Sequence, residues 1–123
     1  AVDRNTPRVA SLYSAFPPAV LRALVHVVRE AKAAAKPVSI CGEMAGDPGA
    51  AVLLMAMGFD ILSMNAASLL KVKSVIRSIN RSAAQELLEQ VMKMDDAKTV
   101  RSAVDLTLYN AGVERLLRSS RTN

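Results

Sequence analysis

The 123-residue chain has one cysteine, one histidine, no tryptophan, two tyrosines and two phenylalanines. A single cysteine cannot close an intrachain disulfide, which suits a reducing compartment and a cytoplasmic location. The one histidine, His26, sits inside a helical pattern with no cysteine or carboxylate cluster near it. A histidine so placed is more often structural or exposed than catalytic. The few aromatics argue against a nucleic-acid surface, where aromatic and basic side chains alternate. The net charge is +5, but the positive residues are scattered. Lys71, Lys73 and Arg77 lie close together, Arg115, Arg118 and Arg121 fall in the tail, and a solvated face accounts for them. Long apolar runs are also missing. The densest, Val52 to Met57, stops at Gly58, far short of the ~20 residues that span a bilayer. The opening Asp3-Arg4-Asn5 does not resemble a signal peptide. Neither membrane insertion nor a nucleic-acid partner is expected. The chain opens without methionine inside an apparently ordered segment, which points to a fragment of a larger protein.

What is present suffices for one small domain: 51% of residues are hydrophobic. Residues 1–16 lack helical period and read as a loop punctuated by Pro7 and Pro17-Pro18, with Arg4 and Arg8 on it. Pro18 opens a helix to about Ala35, with Leu21, Leu24, Val28 and Ala31 facing a core. Lys36-Pro37 ends it and feeds a short buried strand, Val38 to Cys41. The turn Gly42-Glu-Met-Ala-Gly46 follows. Asp47-Pro48 then starts a wholly apolar helix over about 49–57, expected to be buried on more than one side and closed by Gly58. Phe59 to Met64 is a second strand. Ser63 or Asn65 caps a helix of about 66–79, with Leu69, Leu70, Val72, Val75, Ile76 and Ile79 on its inner face. This β/α alternation predicts an α/β fold with a parallel sheet or barrel. Two parallel strands need neighbours on each edge, which again suggests a piece of something larger. After Asn80 the pattern becomes purely helical. Ser82-Ala-Ala-Gln85 reads as a capping box for a helix of about 83–94, Asp95-Asp96 break it, and a last helix runs over about 97–110.

The chemistry on offer centres on Cys41, at the carboxyl end of a strand where α/β proteins place reactive groups. A nucleophilic cysteine wants a base beside it, usually histidine, and the chain offers only His26. A thiol acting as general acid needs no such partner, because it is mostly protonated at neutral pH. A lone cysteine can equally just fill a core, and spacing alone favours that reading. Arg4 and Arg8 could hold an anion by bidentate hydrogen bonds, or simply be exposed. Asp3, Glu43 and Asp47 do not have the spacing of a metal site, and no Gly-Lys-Ser/Thr follows Gly42 and Gly46, so the turn is not a P-loop.

The segment Cys41-Gly-Glu-Met-Ala-Gly-Asp47 resembles the active-site cysteine motif of enzyme I of the bacterial phosphotransferase system. Other segments agree in order: Ala1-Val-Asp-Arg-Asn5 with the loop after the family's Gly-Thr-Asn-Asp strand end, Val9-Ala-Ser-Leu-Tyr13, Pro18-Ala-Val-Leu-Arg22, and Leu62-Ser-Met-Asn65. Asn65, where the sugar-transport branch usually has Ser, resembles the nitrogen-related branch. Phe16 stands where the family commonly has His, so nothing carries over there. The dikinase and synthase relatives that use phosphoenolpyruvate usually have Cys-Gly-Gln, and Glu43 argues against them.

The resemblance implies the C-terminal part of a (β/α)8 TIM barrel, its last two β/α units over 1–80, followed by terminal helices over 81–123. It implies a homodimeric, magnesium-dependent phosphoenolpyruvate–protein phosphotransferase. Such an enzyme phosphorylates its own histidine and passes the group to an HPr-like carrier, NPr in the nitrogen branch. Cys41 matches the residue that protonates the enolpyruvate methylene carbon, and Arg4 an arginine that contacts phosphoenolpyruvate. Glu43 and Asp47 match the motif as shaping residues. The phosphohistidine, the magnesium ligands and the other substrate arginines are expected upstream of Ala1, so no metal ligand is expected in this chain. The chain alone is expected to be inactive. A non-catalytic dimerisation module is the rival of a different class.

Overall fold

Asp47-Pro48 determines where the central helix begins. The Asp47 carboxylate Oδ1 accepts hydrogen bonds from the Gly49 and Ala50 amides, each at 2.9 Å, and Pro48 occupies the first turn, where its missing N–H costs nothing. The helix ends at Gly58, which takes φ +101° in the left-handed region. Gly49 through Leu54 and Ala56 are all buried, as an apolar sequence without a polar stripe requires. Leu53 and Leu54 each contribute about 1.5–3 kcal/mol of burial.

This computed structural model describes residues 6–7 and 16–113. Arg4, Arg8, most of the stretch 1–16 expected to form a loop, and the tail arginines lie outside the described residues. In chain order the elements are α1 (Pro18–Ala33), β1 (Ser39–Cys41), α2 (Glu43–Gly46), α3 (Pro48–Met57), β2 (Ile61–Ser63), α4 (Ala66–Ser78), α5 (Arg81–Val91) and α6 (Ala97–Asn110). The central helix is α3, against which α1, α2, α4, α5 and α6 all pack. The core joins Phe16, Leu21, Leu53, Val75, Leu87, Val100 and Val104, among others. The fold is therefore a helix-rich α/β arrangement. Among the described residues no helix is long and apolar enough to cross a membrane.

Strands β1 and β2 pair in parallel, with Ser39 opposite Ile61, Ile40 opposite Leu62 and Cys41 opposite Ser63. Asp60 secures the entry to both. Its Oδ2 accepts from the Val38 amide at 2.8 Å, its Oδ1 from Lys32 Nζ at 2.6 Å, and its own amide donates to the Val38 carbonyl at 2.9 Å. The strand β1 is not buried, contrary to the sequence reading. Ile40 and Leu62 are half-buried, whereas Ser39, Cys41, Ile61 and Ser63 are exposed. Because side chains alternate across a strand, one face of the pair is sheltered and the other is open.

Two further expectations need correction. Helix α5 starts at Arg81, not after Ser82, because the Asn80 side chain reaches the Ala83 amide at 2.7 Å and caps the helix itself. Gln85 does not close a capping box. Its Nε2 donates to the Ala56 carbonyl at 2.6 Å, satisfying a group near the end of α3. On α4, Leu69 and Leu70 are 52% and 76% exposed and do not belong to the inner face. The buried stripe runs through Val72, Val75 and Ile79, and its continuation one turn earlier is Ser68, which lies against Gly46. Helix α6 matches the expected span, capped by Asp96, whose carboxylate accepts from the Thr99 amide at 2.9 Å and hydroxyl at 3.1 Å. Those bonds hold the Asp96 carboxyl below the usual range.

Candidate functional site

The turn after β1 is built by backbone geometry that the motif's residues dictate. Gly42 takes φ +101° and ψ −165°, a region essentially confined to glycine. The chain then winds through the single helical turn of α2, where the sequence predicts a glycine-bounded turn. Ala45 is fully buried there, and the Asp47 amide closes the turn onto the Glu43 and Met44 carbonyls at 3.1 and 3.3 Å. A Cβ on Gly46 would stand 3.0 Å from Ser68 Oγ, so this glycine lets α2 approach α4. Cys41 and Asp47 thus form the two ends of one stiffly held loop.

Together with the end of β2 and the start of α4, this loop walls an open cleft of about 640 Å³. Cys41, Gly42, Glu43 and Asp47 line one side; Ser63, Asn65, Ser68 and Lys71 line the other. The Cys41 thiol is exposed, so it is not a space-filling core cysteine. Asn65 caps α4, accepting from the Ser68 amide at 2.9 Å. In the sequence, Lys71 stands out only as part of a basic cluster with Lys73 and Arg77. Its place six residues past the Asn65 cap, beyond a strand end that pairs with Cys41, is the signal that could have assigned it to the cleft.

His26 is not among the residues that line the cleft. It is exposed on α1, with Nδ1 at 2.8 Å from Arg29 Nη2 and 3.9 Å from Glu30 Oε1. The cleft therefore offers a thiol without an imidazole base. Asp47 is no free carboxylate either. Oδ1 caps α3 and Oδ2 accepts from Arg101 Nη1 at 3.1 Å. Among the described residues no three histidine, cysteine, aspartate or glutamate side chains group to hold a metal ion. Arg4, the expected anion ligand, lies outside the described residues.

Comparison with known proteins matches the sequence that carries this site to a family. The family described as PEP-utilising enzyme, PEP-binding domain, matches residues 1–81, a stretch that contains the cysteine loop, both strands and α4. A "Phosphoenolpyruvate-protein phosphotransferase" of Staphylococcus carnosus is 40% identical over 111 residues, covering 90% of this chain and 19% of the relative. One of the same name from Geobacillus stearothermophilus is 40% identical over 107 residues, covering 87% of this chain and 18% of the relative. A "Phosphoenolpyruvate-dependent phosphotransferase system" protein of Escherichia coli is 38% identical over 118 residues, covering 96% of this chain and 16% of the relative. The chain thus spans less than a fifth of the length of these relatives. With a family match over two strands, the cysteine loop and the helices between them, the chain belongs to the PEP-utilising enzymes, within their PEP-binding domain.

Proposed function

We propose that this chain is the C-terminal part of the phosphoenolpyruvate-binding domain of a phosphoenolpyruvate–protein phosphotransferase, and that Cys41 donates the proton that converts enolpyruvate to pyruvate. The observation that carries the reading is an exposed thiol at the carboxyl end of a parallel strand, in a cleft that no histidine lines. A nucleophilic thiol would want a base there; a proton donor does not. In the proposed reaction the bond between phosphorus and the enol oxygen breaks, and the phosphoryl group goes to a histidine elsewhere in the parent protein. The enolate takes the Cys41 proton on its methylene carbon. Pyruvate leaves, and the thiolate recovers a proton from solvent. Lys71, exposed on the facing wall, supplies a cation to the anionic substrate.

The finer assignments belong to the same proposal. The two β/α units complete a (β/α)8 barrel with the rest of the parent chain. That barrel would cover the open strand face and bring Arg4 to the substrate. Magnesium is held by residues outside this chain, and the parent works as a homodimer. Asn65, which caps α4, supports the nitrogen-related branch with an NPr-type carrier.

The test is Cys41→Ala in the full-length parent, assayed by transfer of labelled phosphate from phosphoenolpyruvate to the protein. Loss of a general acid predicts a fall of roughly 10²–10⁴-fold. Turnover near that of the unsubstituted protein would refute the proton-donor role.

A further inference from the structure

Asp47 is a junction of three elements. Its amide closes α2 onto the Glu43 and Met44 carbonyls, its Oδ1 starts α3, and its Oδ2 accepts from Arg101 on α6. Arg101 is itself held from three directions. Besides Asp47 at 3.1 Å, its Nε lies 3.4 Å from Asp105 Oδ1, and its guanidinium carbon sits 5.0 Å from the centroid of the Phe16 ring. Phe16 is 1% exposed, so the platform under the guanidinium is fixed in the core. Helix α6 has little freedom to shift, because Val104 packs into the space left by Gly49, one turn from Arg101. The family match ends at residue 81, so Arg101 lies beyond it.

We infer that Arg101 is a positioning residue for Cys41: through Asp47 it sets the orientation of the Cys41–Asp47 loop and hence of the thiol in the cleft. This rests on the proton-donor reading given above. The ion pair is partly exposed, with side chains 48% and 25% accessible, so its contribution to stability is small and its geometric role is separable from folding. A proton donor works only when aligned with the carbon it protonates, and displacements of about 1 Å can cost up to ~100-fold. Misalignment acts on the chemical step more than on substrate capture.

The experiment uses the full-length parent carrying Arg101→Ala, Arg101→Lys or Asp47→Asn, with kcat and KM for phosphoenolpyruvate and the thermal midpoint measured for each. Asp47→Asn keeps an oxygen to cap α3 while turning an amide NH2 towards Arg101 in place of the accepting oxygen, so it breaks the pair without deleting the cap and tests the pair even if Arg101→Ala folds poorly. Expected are falls in kcat on the order of tenfold for Arg101→Ala and Asp47→Asn, with KM changed by less than about threefold. Arg101→Lys should recover most of the loss, and the Asp47→Asn/Arg101→Ala double variant should be no worse than the poorer single one. The inference is overturned if folded single variants keep the unsubstituted kcat. Multiplicative losses in the double variant, or kcat falling only in step with the thermal midpoint, overturn it as well. If the unsubstituted parent transfers no phosphate from phosphoenolpyruvate, the proton-donor reading fails and takes the inference with it. A failure of the inference alone leaves that activity, and its dependence on Cys41, intact.

Discussion

Gly49 and Val104 meet so closely that a Cβ on the glycine would stand 2.6 Å from Val104 Cγ1. The contact joins the first turn of α3 to the middle of α6, in a region where both residues are buried. Alanine at position 49 should gain about 1 kcal/mol of helix propensity. Overpacking should cost about 1–3 kcal/mol. The steric cost should win, because a valine methyl cannot swing away as the end of a long side chain can. Gly49→Ala is therefore expected to lower the thermal midpoint; an unchanged or higher midpoint would show that α6 gives way freely.

The carboxyl of Asp60 is held below the usual carboxylate range, first by the hydrogen bond from Lys32 and then by the Val38 amide. A carboxyl depressed in the folded state stabilises the fold above its unfolded value. That contribution is lost as pH falls through the folded value. The thermal midpoints of the unsubstituted chain and of Asp60→Asn should thus differ at neutral pH, and the gap should close as pH drops below about 4. A gap that stays constant down to pH 2 would contradict the assignment.

The chain on its own should transfer no phosphate from phosphoenolpyruvate to a carrier protein, because the proposed phosphoryl-accepting histidine lies elsewhere in the parent protein. It should also self-associate, since one face of the β1–β2 pair is open and Ile61, Leu69 and Leu70 are exposed. Phosphate transfer by the isolated chain, or light scattering from a stable monomer, would count against the proposed place of this segment within a larger barrel.

Lys71 faces the cleft from α4 and forms no ion pair among the described residues. In the full-length parent, Lys71→Ala should raise KM for phosphoenolpyruvate by about tenfold, with Lys71→Arg nearer the unsubstituted value. A change confined to kcat would place its effect on the chemical step.

Much of this architecture is legible locally. Asp47-Pro48 and Gly58 mark the ends of α3, and its lack of any polar stripe announces burial on more than one side. The parallel pairing follows from the alternation of strand and helix, and Asp96 and Asn110 bound α6 as its periodicity requires. What escapes the sequence depends on partners far along the chain. Asp47 and Arg101 are 54 residues apart, and no spacing rule links them. Gln85 looked like half of a capping box until the Ala56 carbonyl, 29 residues away, offered it a part-buried acceptor. Leu69 and Leu70 carry the right character for an inner face, but the stripe that meets α3 continues through Ser68. Cys41 illustrates both sides: its strand-end position is local, while its exposure depends on what covers the sheet.

Gly42 lies in the cysteine loop and Gly49 just beyond it in α3, but they are required for different reasons, and a genetic experiment can tell them apart. Gly49 is needed for space, so its replacement by alanine should have a second-site suppressor in a smaller residue at 104. An added Cβ at Gly42 meets nothing within 4 Å; only the backbone angle forbids it. Trimming a neighbour relieves no clash there, so substitutions at 42 should lack suppressors and only reversion to glycine should restore the cysteine loop. A library screened for revertants would divide the two positions cleanly, one compensable and one not.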